Sequence, residues 1–204
     1  MAPLNIGILL SGSGTNLQAI IDEIEAGRLN AKISLVVSSR PDAYGITRAK
    51  NANINTLVMD KSKYTNPEHA DEIIVKALKD AGVQYVVMAG YMRMVTPIML
   101  DAFPNKVVNL HPALLPSFKG AHGIKDAFDF GVKVTGITVH FANAEYDKGP
   151  IIAQVAIPIS EDDTLESLEE KIHAEEHKLY PKVLQLISEG KVKVLESGKV
   201  KIDQ

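Results

Sequence analysis

Cysteine is absent from the 204 residues, which removes disulfides, thiolate nucleophiles and cysteine-ligated zinc from consideration. Tryptophan is missing as well, and aromatic residues amount to 5% of the chain, little material for the stacking platforms of nucleic-acid binders. Neither sign of charge dominates: 22 Lys and Arg face 25 Asp and Glu, a net charge of −3. No basic field therefore draws nucleic acid or an anionic membrane surface. No apolar run reaches the length of a membrane-spanning helix. The apolar start, MAPLNIGILLSGSG, lacks a basic leader and enters a glycine-rich turn directly, so it is expected to be a first strand and not a signal peptide. Repeats, low-complexity tracts and linkers are missing too. The expectation is a soluble, cytoplasmic protein that handles small molecules, monomer or homodimer, without nucleic-acid or membrane partners.

What is present is an alternation. LNIGILLS, AKISLVVSS, INTLVMD, YVVMAG and KVVNLHP are short, nearly continuous apolar runs, as strands covered on both faces are. Between them lie helical patterns: TNLQAIIDEIEAG, DAYGITRAKNA, PEHADEIIVKALKDAG and TPIMLDAF. Strand and helix in alternation predict right-handed crossovers and a parallel sheet. The second half differs. GITVHFAN and IIAQVAIPI face each other across AEYDKGP, which predicts an antiparallel extension. A long helix should follow from Asp163 or Thr164, with Asp163 and Glu166 as a capping pair and Pro181 kinking or splitting it. The tail predicts a hairpin around Glu196, Ser197 and Gly198. One α/β domain is expected over residues 1–204, Rossmann-like in its first half and more elaborated in its second.

Two stretches carry chemistry. SGSGTNL, residues 11–17, follows the first strand; its glycines permit a tight turn, and the N–H groups entering the next helix suit a phosphate. A dinucleotide fingerprint would want a third glycine where Leu17 stands, and a P-loop would want a Gly-Lys-Ser/Thr ending. Arg40, after the second strand, keeps an NADP reading open, while a single phosphomonoester fits the loop at least as well. The second stretch is VVNLHPALLP, residues 107–116. Asn109 and His111 are two apart and share a face of the strand, and Pro112 keeps His111 out of the helical region. An amide and an imidazole thus stand together at the carboxyl end of a parallel strand, where open α/β sheets place their ligands. Asp147, a turn former by default, would orient an imidazolium if the fold carried it to His111. HAEEH, residues 173–177, matches an inverted zinc-protease pattern, but too little chain follows to enclose such a site.

In order along the chain, GSGTNLQAII, AGYMRMV, NLHPALLPSFKGAH, GITVHF, YDKGPII and EEHKLYP resemble the phosphoribosylglycinamide formyltransferases, folate-dependent enzymes of purine biosynthesis. The resemblance implies a single formyltransferase domain with a phosphate-binding amino-terminal half and a folate-binding carboxyl-terminal half. Its formyl donor would be 10-formyltetrahydrofolate, and no metal would be needed. It implies that Asn109, His111 and Asp147 form the catalytic set. Gly14, Thr15 and Asn16 would hold the substrate phosphate, Glu176 its ribose, and Lys106 would sit near the substrate. Met92, Arg93, Met94 and Val95 would border the folate, together with Asn109 and the loop that includes His140, Ala142, Asn143 and Ala144. Where many relatives carry a basic residue ahead of the third helix, this sequence has TNPEHA. Beside this reading stand another formyl-folate enzyme, such as a formyltetrahydrofolate hydrolase or a methionyl-tRNA formyltransferase, and a non-catalytic phosphometabolite or NADP binder using the glycine loop and Arg40.

Overall fold

Leu4–Leu10 forms β1, buried at every position except Asn5, as its near-continuous apolar sequence requires of a strand covered on both faces. The computed structural model describes residues 2–203, and these fall into two compact units that meet in sequence between Val108 and Asn109.

The first unit continues with α1 (Thr15–Glu25), β2 (Ala31–Ser38), α2 (Gly45–Asn51), β3 (Thr56–Val58), a 3₁₀ turn over Lys61–Lys63, α3 (Pro67–Asp80), β4 (Tyr85–Met88) and α4 (Pro97–Ala102). Its strands lie in the order β3-β2-β1-β4, and their pairings are parallel. The helices bury one stripe each. In α1 that stripe is Leu17, Ile20 and Ile21, and in α3 it includes Ala70, Ile74 and Leu78, the spacing of one helical face. Asn66 caps α3 by accepting the His69 N–H at 2.7 Å, with Pro67 in the first turn, where its missing N–H costs nothing.

The chain passes from the first unit to the second within β5 (Val107–His111). Then come α5 (Gly123–Phe130), β6 (Val134–Phe141), β7 (Ile151–Pro158), α6 (Leu165–Ser188) and a hairpin of β8 (Val192–Val194) and β9 (Val200–Ile202). The order in this part is β5-β6-β7, with β6 and β7 antiparallel. The α/β class, the parallel first half, the antiparallel extension and the terminal hairpin are thus as the sequence predicts.

Two local expectations need correction, and one helix has no counterpart among them. α6 is not split at Pro181, which is buried inside it; tertiary packing of that face outweighs the lost backbone hydrogen bond. The capping pair is Thr164 with Ser167, each side chain meeting the other's backbone N–H at 3.1 and 3.0 Å. Asp163 instead accepts from Ser160 N–H, Ser167 Oγ and Lys171 Nζ, contacts that hold its carboxyl down to about 2, with Lys171 foremost. Finally, α5 has no counterpart in the sequence reading, because GIKDAFDF is short and buries only Gly123 and Ala127.

Candidate active site

In the second unit, β5 ends on Asn109, Leu110 and His111. Asn109 Nδ2 lies 3.1 Å from His140 Nε2, and His140 Nδ1 lies 2.9 Å from the Phe141 carbonyl. A carbonyl only accepts, so Nδ1 of His140 carries a proton, and its Nε2 lies beside both the Asn109 amide and Asp147. His140 is carried to this point by a break in the β6–β7 register between Val139 and His140, the local irregularity that re-aims a side chain beside a site.

His111 faces oxygen on both sides. Its Nε2 donates to the Phe118 carbonyl at 2.8 Å, and its Nδ1 lies 3.5 Å from Asp147 Oδ2. Each ring nitrogen therefore has an oxygen acceptor beside it. Phe118 offers that carbonyl from a left-handed backbone, φ 49°, and Asp147 itself sits at φ 51°. Non-glycine residues take this conformation at some cost, and such positions gather at functional sites. Asp147 also accepts the Gly120 N–H at 3.0 Å on Oδ2, while its Oδ1 is 3.7 Å from His140 Nε2. Burial pushes the Asp147 carboxyl toward its neutral form, yet the His140 contact, the Gly120 N–H and His111 together outweigh it and hold the group below its ordinary value. His111, His140 and Asp147 are all buried, at 4, 2 and 8% exposure. The arrangement is therefore a desolvated carboxylate between two imidazoles, with an amide alongside.

The turn after His111 is braced from beneath. Thr138 Oγ1 donates to the Ala113 carbonyl at 2.7 Å and receives the Leu115 N–H at 3.1 Å. Gln154, its cross-strand partner on β7, donates to both Thr138 Oγ1 and the Leu115 carbonyl. Phe118, Gly120, Thr138 and Gln154 were missed by sequence reasoning, and so was the way His140 meets Asn109 and Asp147. A polar Thr-x-His on an otherwise apolar strand was the available signal.

Elsewhere in this unit, Glu176 is buried on α6 with Oε2 3.0 Å from His173 Nδ1. That hydrogen bond is the main reason the His173 ring is held above its ordinary value. Ala142, Asn143 and Ala144 lie in the connection between β6 and β7, where Asn143 Oδ1 receives the Glu145 N–H.

In the first unit the glycine-rich loop leads into α1. Gly14 is its N-cap in the left-handed region, φ 72°, and a Cβ there would lie 2.7 Å from Gly45 Cα. Thr15 and Asn16 open the helix, so the first N–H groups of α1 belong to the predicted phosphate loop. Ser11 Oγ receives the Met92 N–H at 2.8 Å and shares a 2.6 Å hydrogen bond with Ser39. Met92 and Met94 are exposed, whereas Tyr91 is buried with its hydroxyl pushed up to about 12 by desolvation. The Arg93 guanidinium stacks 4.5 Å over the Tyr64 ring. Asp71 is buried beside this stretch, its Oδ2 accepting the Thr96 N–H at 2.6 Å, and burial raises its carboxyl above the ordinary value. Val95 is half-buried, and Lys106 is exposed just ahead of β5, at the strand end opposite His111. Arg40 pairs with Asp42 at 2.6 Å on the surface, the ordinary arrangement of a loop arginine.

Residues 4–184 match the formyl transferase family. The chain is 38% identical over 192 residues to the phosphoribosylglycinamide formyltransferase of Haemophilus influenzae, an alignment covering 94% of this chain and 91% of that one. It is 39% identical over 197 residues to the chicken trifunctional purine biosynthetic protein adenosine-3, covering 97% of this chain and 20% of that protein. Among solved structures, glycinamide ribonucleotide transformylase 1 from Symbiobacterium toebii superposes with a TM-score of 0.96 at 46% identity, covering 100% of this chain and 95% of the other.

Proposed function

The chain belongs to the formyl transferase family, and from that premise we propose that it passes the formyl group of 10-formyltetrahydrofolate to the primary amine of glycinamide ribonucleotide, a step of purine biosynthesis. The observation that carries the reading is the set of half-buried Asn109 with buried His140, Asp147 and His111, linked by contacts of 3.1, 3.7 and 3.5 Å.

The amine attacks the formyl carbon and the carbonyl π pair moves to oxygen, giving a tetrahedral oxyanion with a protonated nitrogen. Asn109 has two N–H groups; one is aimed at His140, and the other is the donor for the oxyanion. His111 Nε2–H rests on the neutral Phe118 carbonyl. A hydrogen bond to an anion is roughly twice as strong as one to a neutral acceptor, so transfer of that N–H to the oxyanion becomes favourable only when the charge develops. Such interactions lower the barrier without tightening the ground state. Asp147, held ionised, keeps His111 oriented and accepts the amine proton through water. Once the folate nitrogen has received that proton, the oxyanion pair re-forms the carbonyl, the bond from that nitrogen to the formyl carbon breaks, and tetrahydrofolate leaves. Gly14, Thr15 and Asn16 hold the substrate phosphate and Glu176 the ribose, so that binding energy orients the amine. Met92 to Val95 and residues 140–144 contact the folate.

The test is folate release by purified protein with and without glycinamide ribonucleotide. Release that requires the ribonucleotide is expected; release without it would make the protein a hydrolase and sink the proposal. Asn109→Ala should lower kcat about 10²–10³-fold, and His111→Ala at near-full activity would remove His111 from the mechanism.

A further inference from the structure

Arg48 projects from α2 onto the glycine-rich loop. Its Nε donates to the Ser13 carbonyl at 2.9 Å, and its Nη1 donates to Gln18 Oε1 on α1 at 3.2 Å. The guanidinium lies 5.0 Å from the Tyr44 ring centroid, a stacking that limits its swing. The neighbouring carbonyls are tied as well: Gly45 N donates to the Gly12 carbonyl at 3.1 Å, and Gln18 N to the Gly14 carbonyl at 3.0 Å.

Three successive peptide carbonyls are thus held, two of them toward α2 and one along α1. In a trans peptide the N–H of the next residue points opposite to the carbonyl. The N–H groups of Ser13 and Gly14 are therefore turned away from α2, and that of Thr15 points out of the start of α1. Together these form the concave row of donors an anion needs. Of the three ties, two come from backbone and one from a side chain, so Arg48 is the tie a substitution can cut.

We infer that Arg48 is a positioning residue for the substrate phosphate: it holds the Ser13 carbonyl back so that the N–H groups of residues 13–15 face the ligand. The inference rests on the formyl-transfer reading above, and it adds a residue that lies 35 positions from its hydrogen-bonded partner in the loop and has no place in the motif itself.

Arg48→Met and Arg48→Lys separate this role from simple bracing of two helices. In steady-state assays with both substrates, Arg48→Met should raise KM for glycinamide ribonucleotide about ten- to hundredfold, the cost of losing hydrogen bonds to a charged group. Its kcat and its KM for the formyl donor should stay within about twofold of wild type, the signature of lost ground-state binding. Arg48→Lys keeps the charge but not the fork and should recover part of the affinity; it also carries the test if Arg48→Met does not fold. On the dephosphorylated glycinamide riboside, wild type and variants should show equal kcat/KM. An unchanged KM for the ribonucleotide, or the same penalty on the riboside, would overturn the inference. Wild-type protein without ribonucleotide-dependent transfer would instead overturn the functional reading on which it rests.

Discussion

Asp147 concentrates three unusual features in one residue: a left-handed backbone, burial, and a carboxyl held below its ordinary value. The sign of the last can be followed into stability. A carboxyl depressed in the folded state contributes stability above its unfolded value of about 3.9, and that contribution is lost as pH falls through the lower folded value. The stability gap between wild type and Asp147→Asn, measured by urea titration, should therefore be present at neutral pH and shrink below about pH 4. A gap that persisted undiminished at low pH would mean that the asparagine fails for steric reasons and that the charge is not what stabilises. The same substitution should depress kcat at neutral pH, since the amide cannot accept the amine proton. Asn109 and His111 were visible in the sequence because their two-residue spacing and the following proline have local meaning. Phe118 was not: nothing in its type announces a backbone carbonyl turned toward a histidine seven residues away.

The connection from β6 to β7 decides where Asp147 stands. Gly149 follows it by two, and a Cβ on Gly149 would fall 1.7 Å from the Phe141 carbonyl oxygen, a distance no relaxation of a side chain can relieve because both partners are backbone. Gly149→Ala should displace the loop, lowering formyl transfer by an amount approaching that of Asp147→Asn while the far-ultraviolet circular dichroism stays that of the wild type. Retained activity would show that the loop position is not what sets Asp147. The strands and their partner directions were legible from apolar runs and turn residues, because both depend on neighbours in sequence. The register break at His140 was not, since it depends on which residue of the opposite strand lies across from it. Pro181 shows the same limit from the other side. Its local preference argues against a continuous helix, yet it is buried within α6 together with Leu179, Tyr180, Val183 and Leu184, and that packing prevails.

At the scale of the whole chain, charge and composition bear on solution behaviour more than on chemistry. Among the described residues no helix is long and apolar enough to cross a membrane. A ligand that binds only the folded state stabilises it by mass action: glycinamide ribonucleotide at about 100 times its Kd should add about 2.7 kcal/mol. For a chain of this size that is a rise of about 5–10 °C in Tm, readable by calorimetry without any turnover. No rise at saturating ribonucleotide would count against the substrate assignment even if some folate were released. By itself the sequence determined the class of fold, the order of its strands and of its helices other than α5, and the residue types at the carboxyl end of β5, because periodicity, glycine turns and proline stops act over a few residues. Only the tertiary structure decided that Asp147 and His140 reach His111 and Asn109 across about 30 residues of chain. It also decided that Arg48 meets the Ser13 carbonyl in the glycine-rich loop, because such contacts depend on how separate elements pack, which no local pattern encodes.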